Sequence, residues 1–230
     1  MTNPGMRIVT KINRVPKEYV QKFQMAPVAN VSDVMNRLFA MDDRIKAIGR
    51  QKYVCGPALT VKAAIADNMM FHKAITMARP GDVIVVNACG DTAHSVCGDV
   101  MYRLAQSKGI AGFVVDGSVR DVDYLAQSDF PVYAAGVTAR GPYKNGPGEI
   151  NTDIACGGQV VHPGDLILGD PDGIVVVRRE DIVTVYEKFL KIRENEENLG
   201  RLIENNQWSE SPIVKAVEQK LKDQEYEIIV

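Results

Sequence analysis

Two short stretches carry residue types suited to acid–base and metal chemistry, Gly98-Asp99 and Arg120-Asp121. Asp99, Asp121 and Arg120 supply two carboxylates and a guanidinium, which can hold a hard divalent cation and an anionic ligand side by side. A cation bound by few carboxylates keeps waters, leaving positions open to substrate oxygens. The N–H groups of a loop leading into a helix at Gly98 add anion binding that needs no side chain. The plain alternative for Arg120-Asp121 is a solvated pair at a helix start, which would contribute little. His94 and Cys97 have the types of a base and a nucleophile, but no third group or oxyanion donor accompanies them. A polar loop histidine beside a buried thiol is the better account of that pair.

Other chemistries lack their motifs. There is no Gly-x-x-x-x-Gly-Lys-Ser/Thr loop, and no Gly-x-Gly-x-x-Gly follows Asn87, so neither a phosphate-cradling loop nor a dinucleotide site is expected. His72, His94 and His162 are too scattered for a multi-histidine metal site. Cys55, Cys89, Cys97 and Cys156 form no Cys-x-x-Cys pair, which leaves no zinc knuckle and no disulfide framework.

The elements that must position these residues follow from pattern. Phe113-Val114-Val115, bounded by glycines, predicts a buried strand, with Asp116-Gly117-Ser118 as the turn at its end and helical spacing through Val119, Val122 and Leu125 beyond. Arg120 and Asp121 then fall where strand gives way to helix, the place where ligands bind in open α/β sheets. Upstream, Val83-Ile84-Val85-Val86-Asn87 predicts a central parallel strand. A loop over 88–95 follows, and then a helix over about 96–108 carrying Val100, Leu104 and Ala105 inward. This alternation implies a right-handed crossover, so both loops open at one sheet edge.

Residues 16–47 predict two short helices capped by Asn30 or Ser32, 55–63 a strand, 69–78 a helix, and 130–134 another strand. Residues 141–149 are too rich in Gly and Pro for regular structure. From Ile150, short strands at 151–155, 159–161, 166–168 and 174–177 alternate with glycine turns, so a parallel part is joined to an antiparallel one. Residues 180–205 predict a helix of nearly 40 Å, longer than one domain's face, with its far half expected against a neighbouring subunit. Ser211-Pro212 starts a last helix ending near Tyr226.

Composition agrees with one domain and a tail. The 230 residues are 46% hydrophobic and 24% charged with a net charge of -2, an ordinary globular profile with no electrostatic case for nucleic acid or a membrane surface. No run approaches the roughly 20 apolar residues of a membrane span. The stretch holding Pro4, Lys11, Arg14 and Pro16 is no apolar signal core, so a cytoplasmic protein is expected.

The blocks Gly81-Asp82-Val83, Gly90-Asp91-Thr92, Gly98-Asp99, Val114-Val115-Asp116-Gly117-Ser118-Val119-Arg120-Asp121, Gly136-Val137-Thr138-Ala139-Arg140-Gly141-Pro142, Gly148-Glu149-Ile150-Asn151, His162-Pro163-Gly164-Asp165 and Asp170-Pro171-Asp172-Gly173 occur in unbroken order over about residues 28–190. Together they resemble the family of 4-hydroxy-4-methyl-2-oxoglutarate aldolases and regulator-of-ribonuclease-E-activity-A-like (RraA-like) proteins. The resemblance implies an α/β fold: a swivelling β/β/α-type domain with mixed sheets and N-terminal helices over residues 1–180, plus a C-terminal helical extension over 181–230 in oligomer contacts. It implies a homotrimer or homohexamer with sites between subunits.

By the same resemblance, Arg120 binds the keto acid and stabilises its enolate, Asp121 ligates Mg2+ or Mn2+, and Asp99 holds a water on the metal. The loop amides of Val96, Cys97, Gly98 and Asp99 take the substrate carboxylate. The implied activity is a metal-dependent lyase that cleaves 4-hydroxy-4-methyl-2-oxoglutarate or a similar small 2-oxo acid to pyruvate and decarboxylates oxaloacetate. The aldolases carry a C-terminal glutamate in a Gly-Glu-Leu-Gly-type segment that reaches a neighbour's site. This chain reads Leu202-Ile203-Glu204-Asn205-Asn206-Gln207-Trp208, where Glu204 is the candidate substitute. The alternative within the family is a non-catalytic regulator that binds a ribonuclease or another protein partner, against which the retained Asp99, Arg120 and Asp121 weigh. A methyltransferase would need a methyl-donor nucleotide site that the sequence does not show.

Overall fold

Val83-Ile84-Val85-Val86 sits in the middle of the fold, because both of its faces are covered and alternate residues feed two separate cores. The structure, a computed structural model, describes residues 3–224 together with 226, 227 and 229. In chain order it runs β1 (Met6–Ile8), α1 (Lys17–Phe23), α2 (Val28–Val34), β2 (Lys46–Ala47), β3 (Val54–Ala63), α3 (Met69–Met77), β4 (Val83–Ser95), α4 (Asp99–Ser107), β5 (Gly112–Val119), α5 (Val122–Gln127), β6 (Val132–Val137), β7 (Gly148–Ile150), β8 (Ile154–Cys156), β9 (Gln159–Val161), β10 (Leu166–Asp170), β11 (Gly173–Val177), α6 (Ile182–Glu204) and α7 (Pro212–Asp223).

Strands β3, β4, β5 and β6 pair in parallel, with Val85 opposite Thr60 on one side and Val114 on the other. The first half of β3 pairs instead with β10, and β10 with β11, both antiparallel. With β7 and β1 on one edge and β2 on the other, the described residues form a nine-stranded mixed sheet, and β8 and β9 form a separate hairpin. Ile84, Val86, Phe113 and Val115 share a core with Phe71 of α3 and Tyr102 of α4, while Val83, Val85 and Val114 share one with Ile167 of β10 and Val176 of β11. Full burial of each such side chain stabilises the fold by about 1.5–3 kcal/mol. This layering is the mixed α/β architecture expected from the sequence.

Several elements differ from their sequence-based expectation. Asp116-Gly117-Ser118 is not a turn: β5 runs through it to Val119, and Gly117 is needed because a Cβ there would lie 2.8 Å from the Ala88 Cβ. The stretch 88–95 is not a free loop but the continuation of β4, paired to β5 with register shifts. Helix α4 starts at Asp99 rather than near Val96, and it buries Met101, Tyr102 and Ala105. Val100 and Leu104, expected inward, are 70% and 41% exposed. Asn30 and Ser32 lie inside α2 rather than at its start, where Asp170 Oδ2 accepts the Val28 N–H at 2.9 Å.

The chain divides into compact units between Tyr186 and Glu187. In the first, Tyr186 meets Tyr19 and Phe23 edge-on, with ring centroids 5.9 and 5.4 Å away. In the second, Ser211 Oγ accepts the Val214 N–H at 3.2 Å, and Pro212 opens α7 as the sequence predicts. Among the described residues, no helix is long and apolar enough to cross a membrane.

Candidate functional site

The residues after β5 and those before α4 are tied to one another by backbone and side chain. The Arg120 N–H donates to the Cys97 carbonyl at 3.1 Å, and the Tyr102 hydroxyl, reaching from α4, donates to the Arg120 carbonyl at 2.9 Å. Asp121 takes left-handed backbone angles, φ 59 and ψ 44, at the start of α5. That conformation costs asparagine and aspartate less than other side chains. It brings Asp121 Oδ2 to the Asp99 N–H at 2.9 Å and to Arg120 Nε at 3.6 Å. Gly98, the residue before α4, is extended, and a Cβ on it would collide with Asp121 Oδ2 and sit 3.1 Å from Arg120 Cγ. Glycine is required here by the close approach of a carboxylate, not by backbone strain.

These groups line a cavity of about 250 Å³ together with Asn68, His72 and Lys144. Asn68 is buried; its Nδ2 donates to the Val96 carbonyl at 2.9 Å, while its Oδ1 has no hydrogen-bond partner among the described residues. The Asp99 carboxylate is partly spoken for, accepting its neighbour Val100 N–H at 2.8 Å and lying 3.4 Å from Arg103 Nη2. Burial, and secondarily the charge of Lys144, holds the His72 imidazole below its ordinary pKa. The cavity is therefore lined by cations at Arg120 and Lys144 and by carboxylates at Asp99 and Asp121.

The structure brings Arg120, Asp121, Asp99, Gly98 and Cys97 to this one cavity. Val96 is the exception among the sequence-derived site residues. It is fully buried, and its N–H donates to the Ser118 carbonyl at 2.9 Å, so it offers no amide to a ligand. The Asp99 N–H is likewise engaged by Asp121. His94 and Cys97 do not pair: His94 Nδ1 is 2.9 Å from Asp91 Oδ2, and the buried Cys97 thiol lies 3.8 Å from the Tyr102 hydroxyl, its pKa pushed up to about 12 by desolvation.

The donor set fits a hard cation. No cluster of three His, Cys, Asp or Glu side chains stands ready among the described residues. Magnesium, however, is commonly held by one or two carboxylates with waters and substrate oxygens filling the rest. Asp121 Oδ2, in the cradle that a Gly98 Cβ would fill, is a hard oxygen of the required kind.

Residues 28–176 match the RraA-like family, described as Aldolase/RraA. The chain belongs to that family. It is 38% identical over 189 residues to a Halalkalibacterium halodurans protein named "Putative 4-hydroxy-4-methyl-2-oxoglutarate aldolase", covering 82% of this chain and 90% of that one. Its fold is similar to that of RraAS2 from Streptomyces coelicolor, an unusual member of the RNase ES inhibitor RraA family, with TM-score 0.72, 27% identity, and 84% and 100% of the two chains covered. The RNA-processing inhibitor RraA from Thermus thermophilis superposes with TM-score 0.62 at 28% identity, over 66% and 92% of the chains.

In this RraA-like chain, Asn68, His72 and Lys144 are the polar cavity residues that sequence reasoning missed. Asn68 carried a signal, since an asparagine just before an apolar helix would be taken as a cap. Its side chain makes no cap bond and turns to Val96 instead. Lys144 lies in the Gly- and Pro-rich stretch that no periodicity places.

Proposed function

We propose that the cavity is the active site of a divalent-metal-dependent carbon–carbon lyase that cleaves a 4-hydroxy-2-oxo acid, such as 4-hydroxy-4-methyl-2-oxoglutarate, to pyruvate and a second keto acid, and that decarboxylates oxaloacetate. The observation that carries this reading is the convergence of Arg120, Asp121 and Asp99 around the Gly98 cradle. Asp121 would hold Mg2+ or Mn2+, which when bound supplies Lewis-acid polarisation of the 2-oxo acid. Arg120 pairs with the substrate carboxylate and keto oxygen and stabilises the enolate charge that develops as the C3–C4 bond breaks. The electron pair of that bond passes into the pyruvate enolate while C4 becomes a carbonyl. Asp99 holds the water that takes the C4 hydroxyl proton and returns a proton to C3. Oxaloacetate uses the same residues, with carbon dioxide leaving. His72 and Lys144 also line the cavity, and Lys144 would pair with a further substrate carboxylate.

The same reading assigns catalysis to residues 1–180 and assembly as a trimer or hexamer to surfaces that include the extension at 181–230. The exposed Val100 and Leu104, and the exposed stripe Ile213, Val217 and Leu221 on α7, are apolar faces suited to other copies of the chain. Glu204 is at the end of α6, and its reach to a neighbouring site is part of this proposal. The similarity to RraA inhibitors favours a second reading, a regulator that binds a ribonuclease.

Pyruvate release decides between them. With oxaloacetate or 4-hydroxy-4-methyl-2-oxoglutarate, we expect turnover with Mg2+ or Mn2+, none with chelator, and recovery on adding metal back. No turnover of either substrate by folded, metal-supplied protein would overturn the lyase and leave the regulator.

A further inference from the structure

Part of the cavity wall comes from residues 140–146, a segment outside the helices and strands, yet it is fastened at several points. Both the N–H and the Oγ–H of Ser95 donate to the Arg140 carbonyl, at 2.8 and 2.9 Å. Tyr143 donates its N–H to the Ala66 carbonyl at 2.7 Å and accepts the Asn68 N–H at 3.0 Å. Asp67 Oδ2 accepts the N–H groups of Asn145 and Gly146 at 2.6 and 2.9 Å. Between these ties, Gly141 passes so close to Arg120 that a Cβ would stand 3.0 Å from Nη1. Pro142 and Lys144 line the cavity, and Tyr143 between them does not.

The Tyr143 ring instead lies 6.5 Å, centroid to centroid, from the His94 imidazole, the planes tilted by 45°. The imidazole is itself braced. His94 Nδ1 is 2.9 Å from Asp91 Oδ2, and the other Asp91 oxygen accepts the Ala93 N–H at 2.8 Å. A carboxylate fixed by backbone on one oxygen and imidazole on the other holds the ring in one orientation. Tyr143 is 64% exposed, so this brace is of little use to the core. It is well placed to set where the backbone of Pro142 and Lys144 stands.

We propose that His94, oriented by Asp91, is a positioning residue that acts through the Tyr143 ring to hold the 140–146 wall against Arg120 and the bound oxo acid. The proposal rests on the lyase reading of the cavity. It does not involve the metal carboxylate, and it gives His94 no contact with substrate.

The test is a double-mutant cycle with His94→Ala and Tyr143→Ala, read by steady-state kinetics with oxaloacetate and by calorimetric binding of oxalate, a flat mimic of the pyruvate enolate. Misplacing a wall by about 1 Å can cost up to 10²-fold. Each single variant is expected to raise KM and weaken oxalate binding by about fivefold or more, because the wall shapes the bound state. Mn2+ affinity should stay as in the parent protein. The double variant should be no worse than the worse single one, and Tyr143→Phe, which keeps the ring, should behave as the parent.

Multiplying effects, unchanged constants for Tyr143→Ala, or a parallel loss of Mn2+ affinity would each overturn the positioning role. If His94→Ala does not fold, the exposed Tyr143→Ala and Tyr143→Phe pair still decides it. A parent protein that neither turns over oxaloacetate nor binds oxalate would sink the lyase reading and this proposal together, whereas an active parent with unaffected variants would sink only the proposal.

Discussion

Asp121 Oδ2 accepts the backbone N–H of Asp99 at 2.9 Å, so the carboxylate that follows one sheet strand fixes the first residue of the helix that follows its neighbour. The two crossovers are thereby locked in register. The same oxygen lies 3.6 Å from Arg120 Nε, which places cation and anion at one point.

Removing the guanidinium is the most direct test of that point. Arg120→Ala is expected to lower kcat for pyruvate release by about 10²–10³-fold, the cost of losing one donor to a developing oxyanion. Arg120→Lys should recover little, because an ammonium cannot offer the planar fork. Circular dichroism should be unchanged, since the side chain is 44% exposed. Steady-state rates within threefold of the parent would count against the assignment.

Gly98→Ala tests the cradle. The new methyl group must displace Asp121 Oδ2, while the extended backbone at Gly98 admits alanine without strain. A folded protein with Mn2+ affinity weakened by about tenfold or more, in the range of disturbed ligand orientation, is the expected result of a paramagnetic titration. Parent-like affinity would mean that Asp121 is not the metal ligand.

His72 gives a pH signature. Its folded-state pKa is held below the ordinary value by burial first and by Lys144 second. Its contribution to stability is therefore complete above the unfolded pKa of about 6.5 and is lost as pH falls through the lower folded value. NMR titration should place its midpoint below that of a model histidine. Lys144→Met should raise the midpoint only part of the way, because burial remains.

The thiols separate structure from reactivity. Iodoacetamide should label the exposed Cys89 in the native protein and spare Cys55 and Cys97, whose thiols burial pushes up to about 12, and Cys156, which it raises as well. Cys97→Ala should keep turnover, since the thiol faces Tyr102 rather than a base. Loss of activity in that variant with an intact fold would revive a nucleophilic cysteine.

Much of the site was legible because its residues lie at the ends of strands that announce themselves. An unbroken apolar run such as Val83-Ile84-Val85-Val86 has few alternatives to a central strand, and Arg120-Asp121 closely follows the similar run Phe113-Val114-Val115. Gly117 misled because glycine marks turns in a sequence, whereas here it marks a close approach to Ala88 within a continuing strand. Val100 and Leu104 misled because α4 starts at Asp99. Tyr102 turns inward so that its hydroxyl can reach Arg120, which rotates both apolar residues outward. The place of Asn68 and Lys144 in the cavity was not legible, since for Asn68 the local signal is that of a cap while the side chain turns to Val96, and for Lys144 no local spacing encodes how the 140–146 segment is tied.

The order in which the cavity's pieces occur along the chain has a bearing on synthesis. A ribosome releases the N-terminal parts first. A nascent chain that has emerged only as far as Asp121 already holds Asp99, Arg120 and Asp121, but neither the Pro142 and Lys144 wall nor β7, whose Ile150 pairs with Val61. Such a chain is an open half-site of bare charges. On the lyase reading proposed above, a stalled or truncated product would carry the charged groups without the Pro142 and Lys144 side of the cavity.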